Sequence, residues 1–257
     1  MFPKRLLAPG FLTVMNLFLG FYAIILSAKG DLPAASWIII IAAVFDAVDG
    51  KVARATKSSS KFGVEFDSLA DITSFGVAPS FLIYEVYLKT MSPPVGLIIS
   101  FFPLMFGAIR LARFNTQVSG AEKVNFKGLP TPAASALLAS FIIFNFYYWS
   151  ELRLSSFMLP LTFLASILMV STIEFDAMPR FSLRSGRKNS LHLAAVLISL
   201  IIVVFFPQSA IFPMVIIYIV YSAGRALYRV GREGGLPKRR KTDRGATQDA
   251  DEENGEE

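Results

Sequence analysis

The chain has 257 residues, of which 54% are hydrophobic and 17% charged, and its formal net charge is +6. Soluble domains carry about 25% charged residues, and several apolar stretches here approach the ~20 residues that a membrane-spanning helix needs. These features exclude an ordinary soluble protein. There is no cysteine, which excludes disulfides, thiolate nucleophiles and thiolate metal sites. The single histidine, His192, leaves acid–base chemistry mainly to carboxylates.

The apolar segments, and the Gly, Pro, Ser and charged residues between them, predict an all-α polytopic membrane protein of about eight transmembrane helices. In chain order, the predicted helices cover residues 11–28, 33–54, 64–88, 95–115, 131–150, 156–173, 190–206 and 210–229. We interpret residues 1–230 as the transmembrane domain and residues 231–257 as a disordered cytoplasmic tail. The tail has a basic segment, which suits anionic lipid headgroups, and an acidic end. A specific partner for the tail stays open.

Lysine and arginine placement predicts the orientation. If the N-terminus is cytoplasmic, 22 of the 25 basic residues lie in cytoplasmic segments or adjoining helix ends, and only Lys29, Lys89 and Arg153 fall outside. Because cytoplasmic loops carry an excess of positive charge, this pattern places both termini in the cytoplasm. It also argues against a nucleic-acid partner, since the charge follows the loops. The basic N-terminus with its apolar stretch could instead be a signal peptide, but cleavage would remove a helix on which the charge alternation depends.

Four aspartates lie where the second and third predicted helices meet at a cytoplasmic loop. Asp46 and Asp49 are three residues apart, and Asp67 and Asp71 are four apart, so each pair shares one face of its helix. Two carboxylates about 5 Å apart repel by roughly 3 kcal/mol at an effective dielectric constant of 20. Cations would relieve this repulsion, and oxygen ligands favour magnesium, manganese or calcium. Four carboxylates could hold two ions. The alternative is that the aspartates pair with neighbouring basic residues at the membrane interface.

Residues 46–71 read DAVDGKVARATKSSSKFGVEFDSLAD. This stretch resembles the signature of the CDP-alcohol phosphotransferase family, D-x-x-D-G-x-x-A-R-x8-G-x3-D-x3-D, and every fixed position is present. The resemblance implies a six-helix catalytic core, to which the last two helices are additions. It also implies a homodimer in the cell membrane with its active site open to the cytoplasmic side. The implied activity transfers a lipid-bearing phosphoryl group from a CDP-activated lipid to an alcohol, with a divalent cation, Mg²⁺ or Mn²⁺, as cofactor.

Carried over position by position, the resemblance assigns metal binding to Asp46, Asp49 and Asp67, with Asp71 also close to the metal. Asp71 would in addition be the general base for the acceptor hydroxyl, because an alcohol is a weak nucleophile at neutral pH. The residues that would shape the site for the CDP-lipid are Asp49, Gly50, Ala53, Arg54 and Gly63.

Segments outside the signature look like the phosphatidylserine synthase branch of this family. They are ADITSFGVAPS at 70–80, RLARFN at 110–115 and FKGLPTPAA at 126–134. With the first helix and its Asn16, the likeness covers roughly residues 8–150. Gly10 departs from it, since an asparagine would be expected there. The branch implies CDP-diacylglycerol as the donor, L-serine as the acceptor, and contact with membrane lipids.

The acceptor L-serine carries a carboxylate, for which arginine offers bidentate recognition. Arg110 and Arg113 share one helical face, so we predict that they bind the acceptor, with Asn115 and Lys127 as further candidates. Alternatively, these residues mark the cytoplasmic boundary and contact lipid headgroups. Another acceptor, such as glycerol phosphate or inositol phosphate, also stays open, as does an archaeal-type CDP-lipid donor.

A cation-coupled transporter or channel is the rival from another functional class. It predicts polar groups near the middle of the bilayer and broken helices in corresponding halves of the chain. The acidic cluster lies instead at one membrane face next to a loop, which favours the enzyme.

Overall fold

The computed structural model describes residues 7–56, 61–118, 128–173, 175 and 201–233. Across these residues all regular secondary structure is helical, which confirms the predicted all-α class. The α-helices are α1 (Leu7–Ala28), α2 (Leu32–Thr56), α3 (Lys61–Asp71), α4 (Ala78–Val86), α5 (Pro93–Val118), α6 (Thr131–Trp149), α7 (Met158–Val170) and α8 (Pro207–Glu233). Most of the predicted helix 190–206 lies outside the described residues, although 201–205 are helical, and the predicted tail lies outside them from residue 234 onward.

Six helical spans in the described residues are long and apolar enough to cross a membrane. They are Gly10–Ala28, Leu32–Val52, Phe62–Val86, Pro93–Thr116, Thr131–Trp149 and Pro207–Ala226, and a shorter apolar helix covers Ser155–Val170. Large apolar side chains on these spans, including Phe18, Phe101 and Ile217, are at least half exposed. Contiguous exposed apolar surface is unusual in soluble monomers and suits contact with lipid. The chain is therefore a polytopic membrane protein.

The chain divides into two units, Met1–Ala223 and Gly224–Glu257, and the site described below lies in the first. In this unit α1 packs against α2 and also against α3 and α4, while α2 packs against α6, and α5 against α7. The buried core is apolar and includes Ile39, Leu82 and Leu138. Polar side chains occur in the N-terminal half of α1 and in the C-terminal halves of α2, α3 and α5. These side chains form the candidate site.

The third span, predicted as one helix over 64–88, has an irregular middle. α3 is followed by a π-helical segment, Ile72–Val77, before α4 continues the span. In this segment the Ser74 hydroxyl is buried and donates to the backbone carbonyl of Asn16 in α1, at 2.7 Å. Gly20 of α1 lies against the same serine, and a Cβ added to Gly20 would overlap it. Because π segments widen one turn and are frequent at functional sites, this one lets α1 approach the third span directly after Asp71.

Hydrogen bonds to the end of α7 fix the connection into α6. The backbone N–H of Gly128 donates to the Ile173 carbonyl, and that of Leu129 donates to the Leu168 carbonyl, both at 2.8 Å. Gly128 has φ +88°, and a Cβ at this position would overlap the Met169 carbonyl oxygen. Both the backbone conformation and the lack of space therefore require glycine. These contacts hold the first residue of α6 beside α5 and α7.

Candidate active site

Three carboxylates from α2 and α3 converge at one point. The carboxylate oxygens of Asp46, Asp67 and Asp71 offer ligand atoms that all lie within 4.8 Å of one another. Asp71 is only 9% exposed, and the other two side chains are partly buried. Three negative groups this close inside a membrane protein are unfavourable without a counter-charge. Their oxygen atoms are the ligands that hard divalent cations prefer.

Asp49 lies beside this triad and is 5% exposed. It interacts electrostatically with Asp46 and Asp67. Its Oδ2 atom accepts a hydrogen bond from Thr13 Oγ1 at 2.5 Å, whereas none of the described residues donates to its buried Oδ1 atom. Buried polar atoms normally have partners. The second oxygen of Asp49 is therefore suited to bind a cation or a donor group of a ligand.

Helix α1 supports two of the carboxylates through hydrogen bonds. Thr13 and Asn16 are three residues apart on α1, and both are buried, at 5% and 1% exposure. Asn16 Nδ2 donates to Asp71 Oδ1 at 3.2 Å, so each of the two most buried aspartates has one donor from α1. Thr13 is not among the residues that the sequence predicted for the site. The signal for it was a polar pair one helical turn apart in an otherwise apolar span.

Arg110 of α5 supplies positive charge to the site. It interacts electrostatically with Asp71 and Asp46, and its buried Nε atom has no hydrogen-bond partner within the described part of the chain. Tyr218 of α8 also interacts with Arg110, and its ring centroid lies 6.2 Å from that of Phe175. Helix α8 therefore reaches the site, although no motif in the sequence pointed to Tyr218.

Two of the other predicted acceptor residues contact α7 and α3. Arg113 Nη1 donates to the Val170 carbonyl at 3.4 Å and so binds the C-terminal end of α7. Asn115 Nδ2 donates to Ser68 Oγ at 2.9 Å, on a cavity of about 270 Å³ between α3 and α5. Ser68 is rotated by about 100° around α3 from Asp67. A role for Arg113 and Asn115 in acceptor binding stays a prediction, and Lys127 lies outside the described residues.

The residues predicted to shape the nucleotide site flank the aspartates. Gly50 is exposed, and a Cβ added to it would meet no atom within 4 Å, so a ligand can approach the α2 backbone beside Asp49. Gly63 lies on α3 and is partly buried. Ala53 and Arg54 belong to α2, but their side chains are outside the described part of the structure.

Comparison with known proteins decides the family. The sequence model of the CDP-alcohol phosphatidyltransferase family matches residues 6–178. The chain belongs to this family. It is 35% identical over 223 residues to CDP-diacylglycerol–serine O-phosphatidyltransferase of Helicobacter pylori, which covers 86% of this chain and 92% of the relative. It is 32% identical over 223 residues to the Mycobacterium bovis protein of the same name, covering 83% and 76% of the two chains.

An archaeal relative is similar over a shorter region. The chain is 39% identical over 171 residues to archaetidylserine synthase of Methanothermobacter thermautotrophicus, covering 65% of this chain and 68% of the relative. Family membership makes this CDP-alcohol phosphatidyltransferase homologue a phosphotransferase enzyme. The transporter interpretation is thereby set aside. The family generally uses divalent cations, which fits the acidic triad.

Proposed function

We propose that this enzyme transfers the phosphatidyl group of CDP-diacylglycerol to L-serine and releases CMP. The observation that carries the proposal is the triad of Asp46, Asp67 and Asp71 together with a partly buried arginine, Arg110, in a chain whose relatives include named serine phosphatidyltransferases. The acidic cluster suits a CDP-lipid bound through cations, and Arg110 suits an acceptor that carries a carboxylate.

The residues fit a divalent cation as cofactor. Asp46, Asp67 and Asp71 would hold it, and the buried Oδ1 atom of Asp49 would supply a further ligand. We infer Mg²⁺ or Mn²⁺, and a pair of ions. When bound, the cations neutralise the diphosphate of the donor and the charge that develops on the departing CMP. The open space beside Gly50 would receive the cytidine diphosphate, with Ala53, Arg54 and Gly63 as its other predicted contacts.

Asp71 is the proposed general base. Its carboxylate takes the proton of the acceptor hydroxyl while the hydroxyl oxygen forms a bond to the lipid-bound phosphorus. The bond from that phosphorus to the bridging oxygen breaks, and CMP leaves with the electron pair. Asn16 holds Oδ1 of Asp71 in place at 3.2 Å. The low exposure of Asp71, 9%, limits competition from water for the lipid-bound phosphorus.

The surroundings of the site support an orientation in which it opens to the cytoplasm. The cytoplasmic loops predicted from lysine and arginine placement follow the C-terminal parts of α2 and α5, which carry Asp46, Asp49 and Arg110, and precede α3, which carries Asp67 and Asp71. We therefore propose the cell membrane as the location and cytoplasmic positions for both termini. A homodimer, as the family resemblance implies, stays a prediction.

A second donor is favoured by one observation, the 39% identity to an archaetidylserine synthase. In this variant the acceptor is again serine, and the CDP-activated lipid has archaeal ether-linked chains. The polar site described above would serve either donor, since it binds the diphosphate and not the chains.

The proposal is tested by measuring CMP release. Purified protein is incubated with Mn²⁺, with either CDP-diacylglycerol or its archaeal ether analogue, and with each of a panel of alcohols. We expect L-serine to stimulate release strongly, and glycerol phosphate and inositol phosphate to have little effect. Stimulation by a phosphorylated acceptor alone would reject the serine assignment but retain the phosphotransferase class. The donor that gives the faster serine-dependent CMP release identifies which of the two lipids the enzyme uses.

Replacing Thr13 by valine tests the support that α1 gives to Asp49. Valine has nearly the same shape but cannot donate, so Asp49 loses the one hydrogen bond described for its Oδ2 atom. Losing an outer partner of a metal ligand typically lowers metal affinity or activity by about 10–100-fold. We expect a loss of this size at limiting Mn²⁺, measured as CMP release against metal concentration. Thr13→Ser should restore the wild-type curve, and an unchanged curve for the valine variant would show that Asp49 needs no such support.

A further inference from the structure

The N-terminus of α6 is buried and lies near the helical turn that follows Asp71. A Cβ added to Gly107 of α5 would lie 3.6 Å from Thr131 Cγ2 and 3.8 Å from Ile72 Cδ1. Thr131 is the first residue of α6, and Ile72 directly follows Asp71. The start of α6 therefore lies near the residue that follows the proposed base, and the bonds from Gly128 and Leu129 to the end of α7 hold it there.

Two buried polar atoms lie on the elements that pack together here, and neither has a hydrogen-bond partner in the described residues. One is the Thr131 hydroxyl, on a side chain that is 1% exposed, and the other is the Nε atom of Arg110. Gly107 and Arg110 are three residues apart on α5 and so share a helical face. Buried polar groups without partners are rare and unfavourable, so two of them together indicate a ligand.

The backbone of α6 adds positive character at the same place. The first N–H groups of an α-helix have no partner within the helix. In α6 these are the N–H groups of Thr131 and Ala133, since Pro132 has none, and the capping residue, Pro130, has no side-chain acceptor for them. The helix dipole places partial positive charge at this end. With the guanidinium of Arg110, this end of α6 forms a site for an anion.

We propose that Arg110, the Thr131 hydroxyl and the N-terminus of α6 bind the carboxylate of the acceptor amino acid. The inference rests on the proposed function and deepens it, because it assigns the group that distinguishes serine from an uncharged amino alcohol. Arg110 interacts with Asp71, so an acceptor whose hydroxyl faces Asp71 has its carboxylate within reach of Arg110. The donor diphosphate is also an anion, but in the proposed function the cations at the aspartates bind it.

Thr131→Val removes the hydroxyl and keeps the shape of the side chain. We expect the KM for L-serine to rise by about 10–100-fold, the loss typical of a hydrogen bond to a charged group, while the KM for CDP-diacylglycerol stays within about twofold. The preference of the enzyme for L-serine over serinol, which lacks the carboxylate, should fall by the same factor. Thr131→Ser should retain the wild-type KM for L-serine. Thr162→Val is the matched control, because Thr162 is fully buried in α7 and donates only to the Met158 carbonyl in its own helix.

The outcomes separate this inference from the proposed function. A higher KM for CDP-diacylglycerol with an unchanged KM for L-serine would assign these groups to the donor diphosphate and overturn the inference. Unchanged KM values for both substrates in a folded Thr131→Val protein would overturn it as well. Wild-type CMP release that L-serine does not stimulate would reject the proposed function, and the serine carboxylate site with it.

Discussion

Replacing Asp71 by asparagine is expected to lower serine-dependent CMP release by about 10²–10⁴-fold, the contribution typical of a general base. Asparagine keeps the size of the side chain and can still pair with Asn16 through its amide oxygen, so the packing around it should be preserved. The variant cannot accept the proton of the acceptor hydroxyl. Steady-state rates at saturating L-serine and CDP-diacylglycerol measure this loss directly.

A matched control for this substitution is Asp31→Asn. Asp31 Oδ1 accepts a hydrogen bond from the backbone N–H of Ala34 at the start of α2, at 3.3 Å, and asparagine caps a helix about as well as aspartate does. The same chemical change at the opposite end of α2 should leave the rate within about twofold. An Asp71→Asn protein that keeps more than about a tenth of the wild-type rate would place the base elsewhere.

Replacing Asp46 by asparagine is expected to change the unfolding temperature, and the direction of the change depends on whether metal is present. In EDTA the wild type has three converging carboxylates, and each close pair is repulsive by roughly 3 kcal/mol at an effective dielectric constant of 20. Removing one charge relieves part of this repulsion. The variant should therefore unfold at the same temperature as the wild type or at a higher one when metal is absent.

With Mn²⁺ present, the wild type should unfold at a higher temperature than the variant. A cation that binds only the folded protein stabilises it by about 2.7 kcal/mol at 100 times its dissociation constant, and the variant has lost one of the ligands. We expect Mn²⁺ to raise the unfolding temperature of the wild type by a large amount and that of Asp46→Asn by a small amount. Intrinsic fluorescence in detergent measures both unfolding temperatures. Activity at about 1 mM Mn²⁺ should fall by more than the 10–100-fold typical of outer partners. An equal rise in both proteins would contradict a metal site at Asp46.

Much of the helical bundle could be predicted from the apolar stretches and from the Gly, Pro, Ser and charged residues between them. The predicted helix 131–150 agrees with α6 (Thr131–Trp149), and 11–28 ends where α1 ends, at Ala28. The third predicted span was located correctly, but its π segment was not foreseen. The same apolar side chains serve a regular and a widened turn, and the choice between them depends on tertiary contacts such as that between Gly20 and Ser74.

The site was predictable where a short spacing fixes a geometry, and not where tertiary contact decides. The three- and four-residue spacings of the aspartates put each pair on one face, and Asp46, Asp67 and Asp71 do lie together. The same argument grouped Arg110 with Arg113, and it could not foresee that Arg113 donates to the carbonyl of Val170, 57 residues further along the chain, so the role of Arg113 in acceptor binding stays a prediction. Nothing in the local sequence of Thr131 or Tyr218 reveals that α6 and α8 bring them to the same region.

Anomalous scattering from crystals grown with Mn²⁺ and CDP-diacylglycerol locates the cations that the aspartates of α2 and α3 bind and the donor diphosphate that those cations hold. We expect manganese between the carboxylates of Asp46, Asp67 and Asp71, with the diphosphate oxygens bound to the same ions beside Gly50. Manganese located elsewhere, or a diphosphate held away from these carboxylates, would contradict this expectation.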